Sequence, residues 1–130
     1  MKSYKIWTSL KKIINNKYSR VEGYHEREIY WTSVGENVGF EQDGKGDNFF
    51  RPVLIIKGFS KQLFLGLPLS TTERRGKYYF EFIAVNKNEV SVAILSQIRA
   101  FDTLRLANRY GEIGKEDFAE LKKRLRKAIS

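Results

Sequence analysis

Residues 40–56 read FEQDGKGDNFFRPVLII, and the second half of that stretch decides the fold. Pro52 steers Arg51 away from helix toward extended backbone. Val53-Leu54-Ile55-Ile56 is an apolar, mostly β-branched run suited to a buried strand. The first half carries a polar pair, Glu41 and Gln42, and then a glycine-bearing loop, Asp43-Gly44-Lys45-Gly46-Asp47-Asn48. An arginine therefore stands at the mouth of a strand with a loop leading up to it. A guanidinium offers phosphate a permanent charge and a planar fork of donors. The plainer alternative is an arginine paired with a surface carboxylate.

Outward from this stretch, more strands are expected on both sides. Glu28 to Val34 alternates in character, with Ile29 and Trp31 on one face and Tyr30 and Thr32 on the other. Pro52 to Lys57 is the second strand. Gln62 to Leu69 reads as the third, with Gly66 marking a bend or a close backbone approach. Tyr78 to Val85 and Val90 to Leu95 follow across an Asn-Lys-Asn turn. Strands this closely spaced predict a mainly β (α+β) domain, a small antiparallel barrel or sandwich. After Gln97 the pattern predicts a short helical turn over Asp102 to Ala107 and an extended piece over Tyr110 to Ile113.

Helices are expected at the two ends. Residues 4–16 place Ile6, Trp7, Leu10, Ile13 and Ile14 at helical spacing behind a Ser3 cap. Lys115 to Ile129 has an apolar stripe of Phe118, Leu121, Leu125 and Ala128, with acids early and bases late as the helix dipole prefers. The polar stretch between Lys17 and His25 reads as a linker. The chain thus divides into an N-terminal helical extension over 1–25 and a main domain over 26–130.

Composition narrows the chemistry. A chain of 130 residues suits one main domain, and 42% hydrophobic residues support a packed core. There is no cysteine, so disulfides and thiolate metal sites are excluded, and a single histidine argues against zinc. The same lone His25 excludes a ribonuclease that uses two imidazoles; it reads as a loop residue. No apolar run reaches a membrane-spanning length, and the basic N-terminus reads as neither signal nor anchor, so a cytoplasmic protein without a membrane partner is expected. The net charge of +9 favours an anionic partner.

Four blocks in order resemble the MazF/PemK family of toxin–antitoxin toxins. GFEQDGKGDNFFRPVLII (residues 39–56) is similar to the family's G-x-E-Q…R-P-V-L-[IV] core, and Glu28-Ile29-Tyr30-Trp31 to its opening strand. Gly66-Leu67-Pro68-Leu69-Ser70 resembles its P-[IVC]-[TS] strand end, and residues 94–102 (ILSQIRAFD) its Q-[IV]-R-x-[IL]-D block. The resemblance implies an SH3-like β-barrel, usually homodimeric. It further implies metal-independent, sequence-specific cleavage of single-stranded RNA (mRNA) by attack of the ribose 2′-OH, and inhibition by an acidic antitoxin. No cofactor is implied. By position, Arg51 matches the catalytic arginine, Ser70 the catalytic threonine or serine, and Glu41 and Gln42 the polar pair of the loop that closes over RNA. Gln97 and Arg99 match the motif beside the barrel site.

The residue chemistry agrees on its own terms. Cyclisation builds charge on non-bridging phosphate oxygens, which Arg51 can hold most tightly in the transition state. Ser70 can hydrogen-bond a phosphate oxygen or relay a proton, and Glu41 is a candidate base. Phe40, Phe49 and Phe50 can stack bases or fill core. Lys45, Thr71, Arg74 and Arg75 complete the candidate RNA contacts. The rival reading is a binding protein on the same barrel without catalysis, either a topoisomerase poison or an RNA binder.

Overall fold

The computed structural model describes residues 23–34 and 50–130. The expected helix over 4–16 and the glycine loop with Phe40, Glu41, Gln42, Lys45 and Phe49 lie outside the described residues. The elements are β1 (Glu28–Ser33), β2 (Phe50–Gly58), β3 (Leu63–Ser70), β4 (Tyr79–Ile83), β5 (Val90–Ile94), β6 (Arg99–Asp102), β7 (Leu106–Glu112) and α1 (Lys115–Ile129). Short 3-10 turns cover Leu95–Gln97 and Thr103–Arg105.

All the strand pairs are antiparallel. Their order is β4-β5-β3-β2-β1-β7, and β6 pairs with β3 off that path. The run Val53–Ile56 is apolar without alternation because β2 is buried on both faces. Leu54 and Ile56 join a large core with Leu67, Leu69, Phe80 and Phe82, over which α1 lays Phe118, Leu121 and Leu125. Val53 and Ile55 join a smaller core with Tyr30, Phe64, Phe101 and Leu106 on the other face. Full burial of a side chain such as Leu54 contributes about 1.5–3 kcal/mol. An extra residue in β2 between Ile55 and Lys57 shifts the β2–β3 register and bends the strand.

Gly66 has to be glycine for space. A Cβ there would lie 2.6 Å from Val53 Cγ1 and 3.3 Å from the Leu54 carbonyl oxygen. The close approach expected at this position is therefore real, and it lets the smaller core close over β3.

Two expectations need correction. The sheet does not close into a barrel. β4 and β7 end the path, and among the described residues one backbone hydrogen bond, from Val85 N–H just past β4 to Glu112 O of β7 at 2.9 Å, crosses the gap. Two residues later the chain turns at Gly114 into α1, so no ladder forms across the seam. The turn expected over Asp102–Ala107 is also shorter, Thr103–Arg105. Asp102 caps it by accepting from Leu104 N–H at 2.8 Å, and Leu106 already belongs to β7.

A charge network ties β1 to β7. Glu28 and Glu112 face each other across the ladder, a like-charge pair that would be unfavourable alone. Arg109 resolves it, donating from Nε to Glu28 and from NH2 to Glu112, both at 3.1 Å. Glu28 also accepts from the His25 backbone N–H and from the Tyr30 hydroxyl. Burial is the main cause that pushes the Tyr30 phenol up to about 12, with the Glu28 charge and its hydrogen bond adding to it.

Candidate functional site

Arg51 sits at the second position of β2, exposed, and pairs in register with the buried Thr32 of β1. Pro52 beside it faces Trp31 in the same ladder. Among the described residues, nothing hydrogen-bonds or ion-pairs with the Arg51 guanidinium, so the surface-pair alternative for this arginine finds no partner there. The last β2–β3 pair in this direction is Val53–Pro68. Arg51 and Ser70 lie two residues beyond it on their respective strands. By strand alternation both share the face of Val53, the face opposite α1.

A cleft of about 620 Å³ opens on that face, lined by Val34, Phe50, Arg51, Pro68, Gln97, Ile98, Arg99 and Phe101. Three of the expected site residues, Arg51, Gln97 and Arg99, thus come together from β2, from the turn after β5 and from β6. Gly66 pairs with Arg99 across β3–β6, which fixes where Arg99 leaves the sheet.

Arg99 is held by a stack of rings. Its Cζ lies 4.5 Å from the centroid of Phe101. Phe101 stacks on Phe64 at 5.4 Å, and Phe64 meets Tyr24 at 5.8 Å. Tyr24 in turn donates its hydroxyl to Ser60 O at 2.6 Å and also reaches Leu63 O. A guanidinium packed on a ring face is attracted by the ring's electron-rich centre, which holds the side chain in place. On the far side of the cleft, Arg105 NH1 donates to Ser33 O at 3.1 Å and secures the end of β1 beside Val34.

Ser70 is half-buried at the end of β3 and is not part of the cleft lining; its Oγ accepts from Thr72 N–H at 3.0 Å. Thr71, Arg74 and Arg75 are exposed on the following loop and also stand outside the lining. Arg75 pairs with Glu73 at 3.2 Å, and Arg74 lies over the Tyr79 ring. Phe50 is buried, at 8% exposure, yet one side of it forms cleft wall. Glu41, Gln42, Phe40 and Lys45 lie outside the described residues.

The sequence reading missed Phe101 as the platform under Arg99 and Arg105 as the tie to β1. Phe101 had a signal: it follows Arg99 by two residues, the spacing that puts two side chains on one face of a strand. No group of three or more His, Asp or Glu able to hold a metal ion occurs among the described residues. No helix there is long and apolar enough to cross a membrane.

A family model for the PemK-like, MazF-like toxin of type II toxin–antitoxin systems matches residues 25–129. Solved structures agree in fold. An endoribonuclease in complex with its cognate antitoxin from Mycobacterial species superposes with a TM-score of 0.64 at 14% identity, covering 82% of this chain and 95% of that one. The Mycobacterium tuberculosis toxin MazF-mt6 gives 0.61 at 19% identity, covering 79% and 96%. MazF from Deinococcus radiodurans gives 0.62 at 18% identity, covering 82% and 96%. Comparison with curated protein sequences returned no match. With the family's motif blocks falling on β1, β2, β3 and β6 and its model spanning nearly all of the main domain, the chain belongs to the PemK-like, MazF-like toxins of type II toxin–antitoxin systems.

Proposed function

We propose that this toxin is a sequence-specific endoribonuclease acting on single-stranded RNA without a metal ion, and that an acidic antitoxin restrains it. The observation that carries the reading is the cleft itself, where Arg51 and Arg99 meet beside Gln97 on the open face of the sheet. A similar fold is described as an endoribonuclease bound to its cognate antitoxin, which supports both halves of the reading.

In the proposed reaction the ribose 2′-oxygen bonds to the adjacent phosphorus as the bond from phosphorus to the 5′-oxygen breaks. The products are a 2′,3′-cyclic phosphate and a 5′-hydroxyl end. Arg51 binds the non-bridging oxygens as their charge grows. Arg99 on its ring platform and the Gln97 amide hold neighbouring phosphate or base edges. Ser70 stands on the same face at the cleft end of β3 and serves as a hydrogen-bond donor to phosphate. Glu41 is assigned to receive the 2′-hydroxyl proton, the departing 5′-oxygen takes a proton from water, and a homodimer is the assembly in which the site operates.

The test is incubation of the purified protein with a long RNA in excess chelator, with the ends mapped. Cleavage that persists and leaves 5′-hydroxyl ends supports the reading. Intact RNA, or ends bearing 5′-phosphate, overturns it and favours a binding protein on this fold.

A further inference from the structure

The seam where the sheet fails to close leaves one strand edge unused. Leu95 N–H donates to Tyr78 O, so Tyr78, Phe80 and Phe82 turn their backbone groups toward β5. By alternation Tyr79, Glu81, Ile83 and Val85 turn theirs outward. The two ends of this outward row are occupied. Arg124 NH2 of α1 donates to Tyr79 O at 3.0 Å, and Val85 N–H donates to Glu112 O. Between them the outward N–H and C=O groups of Glu81 and Ile83 have no hydrogen bond among the described residues.

Two kinds of surface flank this short edge. On the outer face Ile83 and Val90 are cross-strand partners, 49% and 42% exposed, and Val85 beside them is 39% exposed. On the inner side the last turns of α1 form a cleft of about 570 Å³ lined by Lys123, Arg124, Arg126 and Lys127 together with Glu120 and Ser130. Arg124 joins the two regions, since its guanidinium reaches Tyr79 O and lies over the Phe80 ring.

We propose that the outer edge of β4 receives an added strand from an acidic, extended polypeptide in which apolar residues alternate with carboxylates. Alternation is what the site reads. A strand laid on this edge sends every second side chain to the outer face, against Ile83, Val85 and Val90, and the others toward the cations of α1. Glu81 on the outer face repels an acid there, which fixes the register. The docking edge rests on the antitoxin half of the reading above and is independent of RNA cleavage.

The experiment uses the full chain and a synthetic peptide of about ten residues alternating Glu with Val and Leu, alongside a shuffled peptide of the same composition. Binding of the alternating peptide over the shuffled one is expected, together with slowed exchange of the Glu81 and Ile83 amides. Glu81→Pro removes one outward N–H while leaving the β5 ladder, and Ile83→Lys removes the apolar contact. Each should weaken binding roughly fivefold or more, the scale of one hydrogen bond or one apolar contact. The double variant Lys123→Glu with Lys127→Glu should weaken it by at least as much, with unchanged melting curves as the control. Equal binding of both peptides overturns the proposal. So does protection of the edge by self-association or by a single-stranded RNA oligonucleotide instead of the peptide. RNA cleavage is assayed in parallel on the same protein, so its absence counts against the enzyme reading alone.

Discussion

The guanidinium of Arg99 lies on the ring of Phe101, 4.5 Å from its centroid, and that ring is almost fully buried. A cleft cation is thereby supported by the smaller core. Phe101→Leu should keep the fold at a cost of about 1–3 kcal/mol. It should also weaken RNA binding in the manner of Arg99→Ala, because the guanidinium loses its platform. Titration of a labelled oligonucleotide against both variants checks this. RNA affinity unchanged in Phe101→Leu would show that the stacking does not position Arg99.

Arg51→Ala should lower the RNA cleavage rate by roughly 10²–10³-fold, the scale of losing one preorganised donor. Arg51→Lys should recover little, since lysine lacks the planar fork. Stability should stay within about 0.5 kcal/mol, because Arg51 is exposed and no described residue pairs with it. Single-turnover rates and melting curves measure the two effects separately. A folded Arg51→Ala that cleaves at the wild-type rate would move the chemistry to Arg99 or to the Arg74–Arg75 loop.

RNA held through phosphates should lose affinity steeply as salt rises. Removing Arg99 should reduce the slope of log affinity against log salt by about 0.7, the single-strand value for one phosphate contact. An unaltered slope would assign Arg99 to base recognition.

Tyr30 predicts a pH dependence. Its folded pKa, about 12, exceeds the ordinary 10.0, so the folded protein holds the phenol proton more tightly than the unfolded chain. The contribution is fully present below about pH 10 and is lost as pH rises through about 12. Tyr30→Phe should flatten that alkaline decline. Denaturant midpoints recorded from neutral pH to about pH 11 test it, and parallel curves for the two proteins would contradict the assignment.

Gly66→Ala should destabilise by about 1–3 kcal/mol, because the new methyl meets Val53 Cγ1 and the nearby Leu54 carbonyl. Thermal melting reads this directly, and a melting point equal to wild type would mean that β3 moves aside freely.

Much of this architecture could be read from residue patterns. Helix α1 begins and ends where its stripe and charges placed it, since a long amphipathic segment carries its own period. β2 and β3 were equally plain, being apolar and bounded by turn residues. β6 was missed because Arg-Ala-Phe-Asp is four residues long and pairs only with a strand more than 30 positions earlier. β7 was reduced to its end because register shifts against β1 break its alternation. Strand spacing left a barrel or a sandwich open and the family resemblance implied the barrel, while the turn into α1 at Gly114 stops the closure. In the site, Arg51, Gln97 and Arg99 were legible as motif residues. Phe101 and Arg105 act through tertiary contacts, which local pattern does not encode.

The hydrogen bond from Arg105 to Ser33 spans 72 positions of chain, and that from Arg27 to Ile113 spans 86. Closing loops of that length is entropically costly until much else is in place, so such contacts form late in folding. The β2–β3 hairpin closes the shortest loop and can form early, β1 closes a longer loop to pair with β2, and its ladder with β7 closes the longest. The expected order is β2–β3 first and the β1–β7 ladder last. Pulse-labelled amide exchange during refolding should show β2 and β3 protected before β1, with RNA-cleaving activity returning on the slower timescale.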